Sequence, residues 1–205
     1  MTELPPALPA SGAAGLAWLL FVLPAAGALV LLDAKRGDIG STMEAYADYL
    51  RPDHPLAVDA MTVSPYLGPG SLQPAVDTAR AHGGGLFVLA RTSNPDAGTL
   101  QLVGEPSVAQ RVVDTVRGWN AMTPGSFGLV VGATLDELDV DLSELGGPVL
   151  APGLGAQGGS PEDLRRLFDA GTVVVPTVSR DVLAAGPDVA ALRAAAERWV
   201  GALAR

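Results

Sequence analysis

The sequence predicts a parallel α/β fold of the (βα)8 type, on three observations. Short apolar runs fall over residues 28–32, 58–63, 86–90, 127–131, 148–151 and 172–176. Each has the length of a strand covered on both faces, the kind that builds parallel sheets. Between them lie helical stretches, and the strand-plus-helix unit recurs every 20 to 40 residues or so, which suits a βα barrel. The count is six such units, two short of a closed barrel, so an incomplete barrel is expected.

Each element has its own warrant. Residues 1–12 are rich in Pro and Ala and are expected to form a disordered lead, ahead of one partial barrel domain over 13–205. Residues 13–32 are almost wholly apolar and long enough to span a bilayer. Three features argue against a membrane or signal segment. No Lys or Arg precedes it, Pro24 and Gly27 interrupt it, and it runs straight into a charged stretch that must meet water. It reads instead as a helix over 15–23, a turn over 24–27 and the first strand. Ser41 or Thr42 is placed to cap a helix to about residue 50, and Ser71 one to about His82, stopped by Gly83-Gly84-Gly85. Ser107 caps an amphipathic helix to about Trp119. A short acidic helix is expected near 135–138. Ser160-Pro161-Glu162-Asp163 combines a cap, a proline in the first turn and acids at the positive end of a helix that should run to Gly171. A closing helix covers 188–203.

Composition narrows the function. Apolar residues make up 48% of the chain, enough for a real core, while aromatics are only 5%, so Ala, Gly and Val must do the packing. A net charge of −9 argues against a nucleic-acid surface, though not against one small anion held by a local arginine. With no cysteine, disulfides, thiolate metal sites and cysteine nucleophiles are excluded. The two histidines, His54 and His82, have no ligand-like spacing, and no metal site is expected. Trp18, Trp119 and Trp199 fall on predicted helices and read as packing residues.

The chemistry concentrates where the first strand ends, in Leu31-Leu32-Asp33-Ala34-Lys35-Arg36-Gly37-Asp38-Ile39-Gly40-Ser41-Thr42. Residues two apart on a strand share a face, so Asp33 and Lys35 should leave it side by side. Gly37 and Gly40 bracket a turn that carries Asp38. Lys35 is the only lysine among 13 basic residues. An ammonium can deliver a proton, whereas a guanidinium cannot usefully do so. The plain alternative is a strand-end ion pair made for stability.

Asp-x-Lys-x-x-Asp followed by Ile-Gly-Ser-Thr resembles the signature of the orotidine 5′-monophosphate decarboxylase family. Further stretches recur in family order: Thr62-Val63-Ser64-Pro65-Tyr66-Leu67-Gly68, Thr92-Ser93-Asn94-Pro95, Val131-Gly132-Ala133-Thr134, Pro152 through Gly159, and Ser179-Arg180. The likeness covers about residues 13–203 and is nearest to the bacterial branch with longer chains. It implies a TIM-type barrel in which the six units match strands three to eight, with the first two absent. It implies cofactor-free decarboxylation of orotidine 5′-monophosphate to UMP, in pyrimidine synthesis in the cytoplasm. Lys35 would stabilise and protonate the ring carbanion, with Asp33 beside the departing carboxylate. Asp38 and Thr42 would enter a neighbouring subunit's site, which implies a homodimer.

The binding residues have independent but weaker support. Gly153 to Gly159 is a glycine-rich loop before a capped helix, and Gln157 and Arg180 could hold a phosphate; Arg180 could equally pair with Asp181 or Asp188. Ser93 and Asn94 could read a pyrimidine edge or simply make a turn. Pro152 is a further candidate for substrate binding, while Pro65 and Tyr66 would shape the pocket wall. The family also uses an Asp after its first strand and a Lys after its second, and neither has a counterpart here, so the chain as given is expected to be impaired. Two other readings stay open: a metal-dependent keto-gulonate phosphate type decarboxylase, and a non-catalytic remnant that binds nucleotide or dimerises.

Overall fold

A computed structural model of the protein describes Leu23 and residues 27–204. The expected lead over 1–12, the helix over 15–23 apart from Leu23, Trp18, and the turn from Pro24 to residue 26 lie outside the described residues. The chain packs as two compact units that divide at Phe87/Val88, within the third strand.

In the first unit, β1 (Leu31–Arg36) is followed by α1 (Gly40–Ala47) and a 3-10 turn over Asp48–Leu50. Then come β2 (Ala60–Val63), a second 3-10 turn over Pro69–Leu72, and α2 (Gln73–His82). β1 and β2 are parallel, with Leu31 opposite Ala60 and Arg36 opposite Val63. The register slips between Leu32 and Arg36, so the strand bulges just where its charges begin. α1 packs on α2. Met43, Ala47, Leu50, Met61, Val63, Leu72, Val76 and Ala79 form the unit's core. Gly83, in the left-handed conformation at φ 71°, ends α2 as expected.

The third strand, β3 (Gly85–Arg91), leads into the second unit. A 3-10 turn (Pro95–Ala97) and the short α3 (Gly98–Gln101) follow it, then α4 (Val108–Met122), β4 (Phe127–Val131) and β5 (Val149–Pro152). The unit closes with α5 (Pro161–Leu167), β6 (Val174–Thr177), the single-turn α6 (Arg180–Leu183) and α7 (Val189–Leu203). β4, β5 and β6 are parallel and in chain order. β6 pairs with β5 alone among the described residues, with Pro176 opposite Ala151. Its valines are open, Val173 just before it by 65% and Val175 by 37%. Asn120 of α4 is buried and makes three hydrogen bonds. Its amide donates to the carbonyls of Phe127 and Leu145 and its oxygen accepts from the Phe127 N–H. Trp119 is buried edge-on against Phe127, a packing role.

The fold class is therefore α/β of the incomplete barrel type, with six parallel strands of which all but β4 are followed by a helix. Several boundaries differ from expectation. β1 runs to Arg36 rather than stopping at Leu32. α1 begins at Gly40, ahead of Ser41 and Thr42, and Ile39 at its cap offers no side-chain bond. Ser71 does not cap α2, because its hydroxyl donates to the Gly68 carbonyl inside the 3-10 turn. No helix forms over 135–138, where the carbonyls of Leu135 and Asp136 are taken by the Arg166 guanidinium. α5 stops at Leu167, since Phe168 turns extended and buries its ring. No helix among the described residues is long and apolar enough to cross a membrane.

Candidate active site

The first unit builds a charged cluster from β1 and β2. The Lys35 ammonium lies 2.6 Å from both carboxylate oxygens of Asp33. Thr62, fully buried in β2, joins them: its hydroxyl donates to Asp33 Oδ1 at 2.8 Å and accepts the Lys35 backbone N–H at 2.9 Å. One threonine thus fixes both the carboxylate and the backbone that carries the ammonium. Lys35 sits at φ 47°, in the left-handed region that costs a side-chain-bearing residue about 1 to 3 kcal/mol. Strain of this kind persists only where the surrounding structure holds it in place, which makes Lys35 a candidate functional position.

Burial tends to raise the Asp33 pKa, but hydrogen bonds from Lys35 and Thr62 and the Lys35 charge outweigh it, and the carboxyl is held below its ordinary value. The pair is open to water rather than sealed in a strand mouth: the side chains of Lys35 and Asp33 are 51% and 59% exposed. Gly37 follows at a close approach, where any Cβ would strike the Ser64 carbonyl oxygen. Asp38 turns its carboxylate back to the Ile39 N–H at 2.9 Å, and Thr42 stands exposed on the first turn of α1. Tyr66, expected on a pocket wall, is 76% exposed, with nothing of this unit packed over it.

The second unit builds a cleft of about 550 Å³ from the ends of its strands. Ser93, Asn94, Pro152 and Gln157 all line it, together with Thr92, Pro95, Gly132 and Thr134. Four of the residues singled out in the sequence, from two stretches more than fifty residues apart, thus meet on one cavity. The glycine-rich loop is less free than its composition suggests. The amides of Gly155, Gly158 and Gly159 bond inside the loop, to Gly159, Gly155 and Gly153. The amides of Ala156 and Gln157, at the tip, have no partner among the described residues. Nor does α5 lend its positive end to a ligand, because Ser160 and Asp163 close a capping box there and Glu162 adds a second acid. An anion at this loop must rely on tip amides and side chains.

Arg180 is not among the cleft-lining residues; it opens α6, exposed, and among the described residues pairs with neither Asp181 nor Asp188. The Asp181 carboxylate instead lies over Gly155, where a side chain would have to displace it, and α6 is thereby packed against the loop that bears Gln157. Thr62 and Thr134 entered the sequence reading only within stretches that resemble the family, with no role of their own, although Thr62 is a lone hydroxyl in an otherwise apolar strand. Gln101, whose side-chain amide bonds Thr92, carried no sequence signal.

Comparison with known proteins gives the family. The pattern of the orotidine 5′-phosphate decarboxylase / HUMPS family matches residues 19–195. The chain belongs to that family. It is 59% identical over 180 residues to the orotidine 5′-phosphate decarboxylase of Salinispora arenicola, covering 84% of this chain and 65% of that one. It is 58% identical over 182 residues to the Streptomyces coelicolor enzyme of the same name, covering 85% and 66%. The chain thus spans just under two thirds of the length of these relatives. A solved structure from Streptomyces avermitilis, provisionally described as an orotidine 5′-phosphate decarboxylase, superposes with a TM-score of 0.84 at 53% identity, over 95% of this chain and 73% of that one. In this family member the Asp33-x-Lys35-x-x-Asp38 motif and the Thr92 to Pro95 stretch both fall within the matched residues.

Proposed function

We propose that this chain decarboxylates orotidine 5′-monophosphate to UMP without a cofactor. The observation that carries the reading is Lys35, held on strained backbone with its ammonium 2.6 Å from Asp33. In the proposed reaction the bond from the pyrimidine ring to its carboxylate breaks and CO2 leaves. The electron pair stays on the ring carbon. The Lys35 ammonium stabilises that developing charge and then donates its proton to the carbon. Asp33 holds the ammonium and stands beside the departing carboxylate.

Ser93 and Asn94 read the base, Pro152 bounds it, and Gln157 with Arg180 holds the phosphate, whose binding energy helps to position the ring. Asp38 and Thr42 act in the site of a second subunit, so the working form is a homodimer. Support for that role is that Thr42 is exposed and that Asp38 bonds only its neighbour's amide among the described residues. The setting is the cytoplasm, the acidic chain having no nucleic-acid partner.

The test is loss of substrate absorbance with purified chain in the presence of a chelator, beside Lys35→Ala. Turnover that vanishes in the variant supports the reading. Binding of UMP with no turnover in either protein would reduce the chain to a nucleotide-binding member, and no binding at all would refute the assignment.

A further inference from the structure

The cleft in the second unit contains a hydrogen-bond relay whose direction is fixed from one end. It begins at a group with no ambiguity, the backbone N–H of Thr92, which can only donate. Gln101, on α3, accepts it through Oε1 at 2.9 Å. The other end of the same amide, Nε2, must then be the group 2.7 Å from Thr92 Oγ1, and it can only donate there. The Thr92 hydroxyl, already accepting, points its own hydrogen onward to Asn94, at 2.7 Å. The atom of Asn94 that receives it must be the carbonyl oxygen. The Asn94 NH2 is therefore left for whatever enters the cleft that Asn94 lines. Asn94 occupies the cap position of the 3-10 turn Pro95–Ala97 yet makes no side-chain cap bond, so ordinary turn chemistry does not claim its side chain. Arg91 anchors the segment. Its fork grips Asp139 at 2.9 to 3.0 Å, and its remaining nitrogen donates to the Thr92 carbonyl at 2.6 Å.

We propose that Gln101 is a positioning residue that sets the polarity of this relay, so that Asn94 presents a donor and selects a pyrimidine with a carbonyl, not an amino group, at the edge where uracil and cytosine differ. The proposal rests on the nucleotide reading given above and names the group that reads the base.

Gln101→Glu tests it. A carboxylate at position 101 still accepts the Thr92 N–H but offers no donor to the Thr92 hydroxyl. That hydroxyl then donates to the new carboxylate and turns its lone pairs to Asn94. The Asn94 amide rotates, and its oxygen faces the ligand. The measurement is the affinity of the full chain for UMP and for CMP, by titration calorimetry, in wild type, Gln101→Glu and Thr92→Val. Wild type should favour UMP. The UMP:CMP preference should fall at least threefold in Gln101→Glu, the scale of one hydrogen bond made or lost. It should fall by less in Thr92→Val, where Asn94 is free to adopt either orientation. A residue that merely held the loop in shape would weaken both nucleotides alike and leave the ratio unchanged; so would the added charge, since both ligands carry the same phosphate. An unchanged ratio in both variants, with UMP still bound by wild type, overturns the relay while sparing the functional assignment. Failure of wild type to bind UMP overturns both.

Discussion

Lys35→Gly should yield a chain more stable than Lys35→Ala, against the usual order. Both variants lose the contact with Asp33, but its two side chains are 51% and 59% exposed, and an exposed pair contributes about 1 kcal/mol or less. Both keep the backbone bond from residue 35 to Thr62 Oγ1. They differ at φ 47°, where a Cβ costs about 1 to 2 kcal/mol and glycine avoids that cost. Glycine gives back about 0.5 to 1 kcal/mol through the greater freedom of its unfolded chain. The balance leaves Lys35→Gly ahead of Lys35→Ala by about 1 kcal/mol and level with the wild type. With a urea slope of about 2 kcal/mol/M, the two midpoints should lie roughly 0.5 M apart. The assay is urea unfolding followed by far-UV circular dichroism, with equal slopes required. A Lys35→Ala protein as stable as Lys35→Gly would refute the claim that strain is stored at this residue, and with it the observation on which the functional reading leans most.

Other outcomes follow from the same geometry. Thr62→Val, nearly equal in volume, should cost about 2 kcal/mol in denaturant unfolding by leaving the Lys35 amide and the Asp33 carboxylate each one partner short, and should raise the Asp33 pKa in an NMR titration. The Asp33 pKa is depressed on folding, so its contribution to stability is present above the ordinary carboxylate value and is lost as pH falls through the lower folded value. Titration of stability from pH 7 to 5 should therefore show no loss assignable to Asp33. Asn120→Ala strips three buried hydrogen bonds and should cost about 3 kcal/mol or more in the same assay. If Gln157 holds the phosphate as proposed, Gln157→Ala should weaken binding of UMP several-fold while leaving uridine unaffected, measured by calorimetry.

The sequence made legible those elements whose signals are local. β4 falls on the residues its apolar run predicts, and Ser107 and Ser160 each accept the backbone N–H expected of a cap. What stayed hidden was decided across the chain. Charges at 33 and 35 read as the end of β1, yet the ladder resumes past a bulge because β2 supplies partners as far as Val63. The acidic stretch after β4 has helical composition, but Arg166, some thirty residues on, takes two of its carbonyls. The site divides in the same way. Asp33 and Lys35 stood out by spacing and by the rarity of lysine, and Ser93, Asn94, Pro152 and Gln157 by neighbouring glycines and prolines. Thr62 and Gln101 act only through partners 27 and 9 residues away, which no local pattern encodes.

The margin of β6 bears on how the protein behaves in a tube. Among the described residues β6 is bonded on one side only, which offers its other side to any passing strand, and the valines that would cover the contact are exposed. Proline at 176 removes one amide hydrogen from a strand of four residues, so a newcomer finds its ladder interrupted. The encounter is second order in protein while the interruption is fixed, so clumping should be held off in dilute solution and should set in steeply as the sample is concentrated. Replacing Pro176 by threonine should lower the concentration at which light scattering first rises.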